Sequence, residues 1–421
     1  MFKKTKLKNG LKVILSPLQE TKAVTVLVLV KVGSRYETRK INGASHFVEH
    51  LMFKGTKKRP TALSITKELD GVGADYNAFT SKDHTGYYIK VNHEHMQLAL
   101  DILSDMIFNS TFSDKEIERE RGVIIEEINM YEDNPMMFLE DLFEETVYGG
   151  HPLGWNISGP KEVIRKVTRQ DLFNYYKKHY RPYNILVSVA GRIDGKILSL
   201  VDKYFNVQKV AGQMEKYQSI KVRQQQPQIK LKNKKTEQVQ LALGFPAYSY
   251  FDKQLYSLYL LSVILGGNMS SRLFTSIREQ KGLCYFIRAG VSVYEDTGHL
   301  MIQAGLDKLR LKIAIKEILN ELKKVRQDGV TADELHKAKE FLKGKFILDL
   351  EACDHVASWL AKQELLRKRI LTPSQQIKKI ESITQSGIKQ AAREIIKTKK
   401  INLSLIGPFK NSADFRSILK I

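Results

Sequence analysis

The chain has 421 residues, 43% of them hydrophobic and 27% charged, which excludes a disordered or low-complexity protein and gives material for two or three domains. Lysine and arginine number 68 against 46 acidic residues, a net charge of +22. No Lys/Arg tract of five or more occurs, so the charge reads as a solvated surface with a weak hint of acidic or anionic substrates. A nucleic-acid partner would need a clustered patch or stacking aromatics, and the sequence offers neither. Cys284 and Cys353 form no C-x-x-C pair and no disulfide framework, as in a reducing compartment. The N-terminal run MFKKTKLKNGLKVIL is basic but lacks the apolar core of a signal peptide. The most apolar run, Ala23–Val30, is too short to cross a bilayer. A cytoplasmic protein without membrane contact is expected.

Taken in order, residues 3–32 read as strands, with a hairpin turn at Asn9-Gly10 and a β-branched run from Ala23. Next comes His46-Phe47-Val48-Glu49-His50, helix-compatible, with Ser45 as a candidate cap. Histidines four apart share one helix face, and the glutamate projects beside them. Two imidazoles and a carboxylate around an open position describe a catalytic zinc site, and H-x-x-E-H is the inverted form of the familiar zinc-protease motif. A helix is expected at 61–72, capped at Thr61 or Ser64, followed by extended segments at 74–81 and 84–91 and an amphipathic helix at 94–108. Ser113-Asp114-Lys115-Glu116 is a capping box opening a helix that carries Glu120 and Glu127 on one face. Glu127 is the candidate third ligand and Glu120 a partner that orients an imidazole. The competing reading makes Glu120, Glu126, Glu127 and Glu132 an acidic, solvated face. His93-Glu94-His95 has the wrong spacing for a second site, because Gln97 stands where the motif needs histidine.

Helices at 135–148 and 168–180, a strand at 185–190 and a helix to Phe205 complete the first half. Residues 207–235, rich in Gln and Lys, read as an interdomain linker. The second half repeats the order strand, strand, helix, capping box, helix: strands at 286–294 and 297–303, with Gly290 a candidate bulge, a helix at 308–326, and the box Thr331-Ala332-Asp333-Glu334. Setting Glu116 against Glu334 puts Lys345 opposite Glu127, so the copy lacks the ligands. The expectation is an α+β protein of two homologous halves, each a largely antiparallel sheet with helices packed on one face. Residues 1–206 form a zinc-binding half and 236–421 a metal-free half.

The segment from Gly33 through Gly43-Ala44-Ser45-His46-Phe47-Val48-Glu49-His50-Leu51-Met52-Phe53-Lys54-Gly55-Thr56 resembles the signature of the M16 zinc peptidases, the inverzincins. Length and duplication are similar to the short-chain M16B branch, which includes the mitochondrial processing peptidase. The resemblance implies that His46, His50 and Glu127 bind Zn2+, that Glu120 assists, and that Glu49 is the general base. It implies that the strand around Asn77-Ala78-Phe79-Thr80 receives an extended peptide substrate. It further implies that Arg278 and Tyr285, in the second half, hold the substrate. The expected function is a zinc metalloendopeptidase cleaving extended or unfolded peptides, assembled as a homodimer with composite active sites. The alternative is a non-catalytic scaffold or one subunit of a heterodimer.

Overall fold

A computed structural model describes residues 2–207 and 212–421. Part of the expected linker, residues 208–211, lies outside the described residues. The strands of the first sheet are β1 Lys3–Lys6, β2 Lys12–Pro17, β3 Ala23–Val30, β4 Asp75–Thr80, β5 Thr85–Asn92 and β6 Ile185–Gly191. Those of the second are β7 Gln228–Asn233, β8 Gln238–Ala247, β9 Cys284–Val293, β10 Gly298–Asp307 and β11 Asn402–Gly407. The helices that matter for the site begin with α1 Ala44–Met52, α2 Ala62–Asp70, α3 Met96–Asn109, α4 Asp114–Asp133 and α5 Pro135–Tyr148. They continue with α6 Lys161–Lys166, α7 Arg169–His179, α8 Ile197–Phe205, α9 Leu255–Gly266, α10 Leu311–Asp328, α11 Ala332–Asp349 and α12 Cys353–Lys362. No helix among the described residues is long and apolar enough to cross a membrane.

The first sheet has the order β1-β2-β6-β3-β5-β4 and the second β7-β11-β8-β10-β9. Apart from the added β1, the orders correspond strand for strand. Each sheet has one parallel pair, β2 with β6 and β7 with β11, and is otherwise antiparallel. The duplication read from sequence is therefore a duplication of topology, and the fold is α+β. In both copies the strand before the central hairpin turn, β4 or β9, is a sheet edge.

The contiguous halves expected from the sequence are interleaved in the structure. One unit comprises residues 1–129, 155–218 and 347–370; the other comprises 130–154, 219–346 and 371–421. In the first unit, Val24, Val26, Val28 and Val30 of β3 join Phe47, Leu51 and Leu103 in one core. Residues alternate across a strand, so Thr25 faces the other way, and there its hydroxyl lies 3.2 Å from Cys353 Sγ on α12. Ser188 of β6 likewise donates to the Ala357 carbonyl at 3.0 Å. In the second unit, α5 places Leu139, Leu142 and Phe143 against Ala242, Met301 and Ile406. Each long helix, α4 or α11, thus leads to a helix that packs on the other copy's sheet. Amphipathic periodicity reveals that such a helix has an apolar face but not which sheet covers it.

Two local expectations change. The stretch read as linker contains β7, ordered by parallel pairing with the distant β11. Gly290 is no bulge, since it pairs in register with Met301.

Candidate metal centre

Helix α1 is preceded by Gly43, whose φ of 101° is left-handed. A Cβ there would stand 2.6 Å from both the Ser158 carbonyl oxygen and Ile164 Cδ1, so glycine is required. Ser45, the cap expected from sequence, lies inside the first turn and does not cap it. Its hydroxyl instead lies 2.7 Å from Tyr175 Oη. The N–H groups that the helix itself leaves unpaired go to Glu37, which accepts from the Gly43 and Ser45 amides at 2.7 Å each and from Asn42 Nδ2 at 2.9 Å. Glu37 is buried, and burial pushes its carboxyl up to about 7 despite these donors. Sequence reasoning missed it. A carboxylate several residues before a helix shows as a cap only once the intervening turn is folded.

Phe47, Val48, Leu51 and Met52 anchor α1 in the core, and this fixes the opposite side toward α4. Ile117, Ile124 and Ile128 anchor α4 in the same way, with buried Glu120 on their face. The two helices bring three donors together. His50 Nε2 is 3.3 Å from His46 Nε2, and Glu127 Oε2 is 3.5 Å from His46 Nε2 and 3.4 Å from His50 Nε2. A tetrahedral ion with bonds of about 2.0–2.1 Å spaces its ligands roughly 3.3–3.4 Å apart. The triangle therefore fits one face of such a tetrahedron, with the fourth corner left over. Among the described residues this is the one group of three or more potential ligands so arranged.

The electrostatics call for a cation. Burial works against charge on His50, yet Glu120 and Glu127 outweigh it and push the imidazole up to about 9. Hydrogen bonds from His46 and then His50 hold the Glu127 carboxyl well below the usual carboxylate range. Lone pairs that attract a proton this strongly suit a metal ion. Glu120 supplies the outer layer: its Oε2 lies 3.1 Å from His50 Nδ1, which leaves Nε2 free for a metal, and its Oε1 accepts from Lys54 Nζ at 2.9 Å. Burial opposes the Glu120 charge, but these two partners keep its pKa low. His46 Nδ1 is buried without a partner among the described residues, so only the His50 imidazole is oriented from behind.

Glu49 lies beside the trio, accepting a 2.5 Å hydrogen bond from Thr80 at the end of β4. Burial raises its pKa above the ordinary value, with Thr80 and the two imidazoles pulling the other way. The strand named in the sequence reading thus ends on the acid named there, and β4 is an open edge. Along it the Ala78 amide donates to Asn77 Oδ1 at 2.8 Å rather than to a neighbouring strand.

Arg278 and Tyr285 belong to the second unit. In the ladder between β9 and β10, Phe286 pairs with Gly305 and Cys284 with Leu306, leaving Tyr285 as a bulged residue. Bulges re-aim side chains, and Tyr285 is 74% exposed. Arg278 lies on the preceding helical turn, its guanidinium 4.6 Å from the Phe274 ring centre and 5.9 Å from that of Tyr285.

Residues 12–161 match the family description "Insulinase (Peptidase family M16)", and residues 166–342 match "Peptidase M16 inactive domain". The chain is 36% identical to the uncharacterized zinc protease YmxG of Bacillus subtilis, over 98% of this chain and 99% of that one. It is 34% identical to an uncharacterized zinc protease of Rickettsia felis, over 97% and 98%. A solved protease structure from Helicobacter pylori superposes with a TM-score of 0.90 at 27% identity, covering 97% of this chain and 99% of that one. The protein belongs to peptidase family M16.

Proposed function

We propose that the protein is a zinc-dependent endopeptidase acting on extended peptides. The observation that carries this is the triangle of His46, His50 and Glu127, with edges of 3.3–3.5 Å and Glu49 beside it. The relatives are named zinc proteases, which supports both the metal and the reaction. Zinc, when bound, supplies Lewis acidity that polarises a carbonyl and acidifies water. This chain's own groups do the rest. Glu49, its proton affinity raised by burial, takes a proton from the attacking water and hands it to the leaving amine. Glu120 keeps His50 in one tautomer. The open edge of β4 pairs with the substrate backbone, which favours extended chains and leaves sequence preference to the side chains.

Arg278 and Tyr285 enter this reading as substrate-holding groups, with the Tyr285 phenol donating to the developing oxyanion. The homodimer with composite sites enters it too. Cleavage of a quenched peptide, abolished by a chelator and restored by zinc, tests the activity; a pure zinc-loaded protein that cleaves nothing would mark a scaffold or an absent partner. Mass in solution with metal content tests the assembly: two chains holding two zinc ions are expected, and a stable monomer overturns it.

A further inference from the structure

Residues of β4 alternate between two environments. Thr80 turns toward Glu49, so Ala78 and Tyr76 share the metal side, while Phe79, Asn77 and Asp75 turn to the side covered by α12. The pairing with β5 agrees, because Phe79 stands opposite Gly86 and Asp75 opposite Lys90, whose ammonium bonds Asp354 of α12 at 2.8 Å. A peptide added to this edge alternates in the same way. Half of its side chains meet the metal side, and the other half meet the α12 side.

The charges on the α12 side are unevenly distributed along β4. At its start, Lys90 pairs with Asp354, and Asp75 is exposed with the Tyr88 hydroxyl at 3.5 Å. At its end, on the α12 side beside Phe79, stands Lys362. Its ammonium is 5.5 Å from the Phe79 ring centre and makes no ion pair among the described residues. Lys362 is exposed to solvent, although the protein around its ammonium lowers its pKa. His84, 5.8 Å from Phe79 ring to ring, is held neutral by burial and then by the Lys362 charge, which together pull its pKa down to about 3. Its Nδ1 lies 2.9 Å from the Ser81 hydroxyl. An exposed lysine that pairs with no carboxylate among the described residues still favours an anion brought to it, modestly and in a salt-dependent way.

We propose that Lys362 is a specificity determinant, selecting peptides that carry an acidic side chain beside the scissile bond, on the α12 side of the added strand. The inference rests on β4 being the substrate strand. The acidic side chain lies over Phe79 and neutralises Lys362. Farther along the strand, Asp75 tolerates a basic residue on the same side.

The test uses fluorescent peptides identical except for one Glu, Gln or Lys stepped through every position, titrated against zinc-loaded Glu49→Gln protein and, for turnover, against the wild type. One position is expected to favour Glu over Lys by about tenfold, from a charge pair at 5–6 Å in partly screened surroundings. Adding Lys362→Glu inverts that preference, Lys362→Gln removes it, and Lys362→Arg keeps it; raising the salt shrinks it. Binding and cleavage that ignore charge at every position overturn this inference alone, as does a preference that survives Lys362→Glu. Charge-selective binding without cleavage by the wild type overturns the hydrolase reading and leaves the role of Lys362 standing. Failure of every peptide to bind removes β4 as the substrate strand, and the inference with it.

Discussion

Beside β4, helix α1 presents His46, Glu49 and His50; beside β9, helix α9 presents leucine, isoleucine and valine, buried around almost its whole circumference. The sheets beneath them pair their strands in the same order. A shared topology thus tolerates two quite different helices at its edge. The apolar one stabilises its unit by burial, roughly 1.5–3 kcal/mol for each fully covered large aliphatic side chain. The polar one gives up part of that and must compensate each buried charge. Glu120 needs Lys54 and His50, and Glu37 needs three N–H donors. Local compromise of this kind marks a functional site, where the fold's own rules are broken and then repaired nearby.

The comparison breaks most decisively at Glu49. Replacing it with Gln keeps size and hydrogen-bonding ability but removes the proposed base. Turnover of a quenched peptide is expected to fall by about 10²–10⁴ while metal content stays the same. Substantial residual cleavage at full zinc occupancy would take the base role away from this residue. Next in size is Glu120→Gln. His50 would lose the anion that fixes its tautomer, and zinc affinity, read by competition with a chromophoric chelator, is expected to weaken about 10–100-fold. An unchanged affinity would make Glu120 merely the partner of Lys54.

Glu37→Ala tests the cost of the polar helix. It leaves two buried backbone amides of α1 without acceptors, and a loss of about 1–3 kcal/mol is expected in denaturant unfolding of the metal-free protein. The pH dependence has a definite sign. Burial raises the folded carboxyl to about 7 from an ordinary 4.5, so the folded state binds more protons between those values. The stability contributed by this group is full below about 4.5 and declines as pH rises toward 7. In Glu37→Gln that part of the decline should vanish. A slope identical to the wild type's over that window would mean that Glu37 is ionised throughout.

The site's legibility in sequence follows the range of the forces involved. The spacing of His46 and His50 is local, so it places both on one helix face without further knowledge. The capping boxes read at Ser113 and Thr331 are equally local: Thr331 and Glu334 exchange both hydrogen bonds, and Ser113 Oγ accepts from the Glu116 amide at 3.3 Å. Glu127 needed the packing of α4 on α1, which periodicity alone left open against an acidic solvated face. Glu37 and the Tyr285 bulge depend on how a turn closes or two strands register. The exchange of α5 and α12 depends on which sheet an apolar helix finds. These are choices among distant partners, and local pattern does not encode them.

The smallest effect concerns the position in the second unit set opposite Glu127 by the repeat. Lys345 lies on α11, exposed. If a carboxylate on the second long helix were the feature that separates the two units, Lys345→Glu would begin to rebuild a metal site. Physical reasoning says otherwise. A ligand trio needs its imidazoles, and α9 offers none, so a lone exposed carboxylate has nothing to share an ion with. Zinc should remain at one per chain, and stability should move by no more than about 0.5 kcal/mol, as for most surface substitutions. A second equivalent of tightly held zinc in this variant would show that the metal-free unit kept more of the site than its leucine-rich helix suggests.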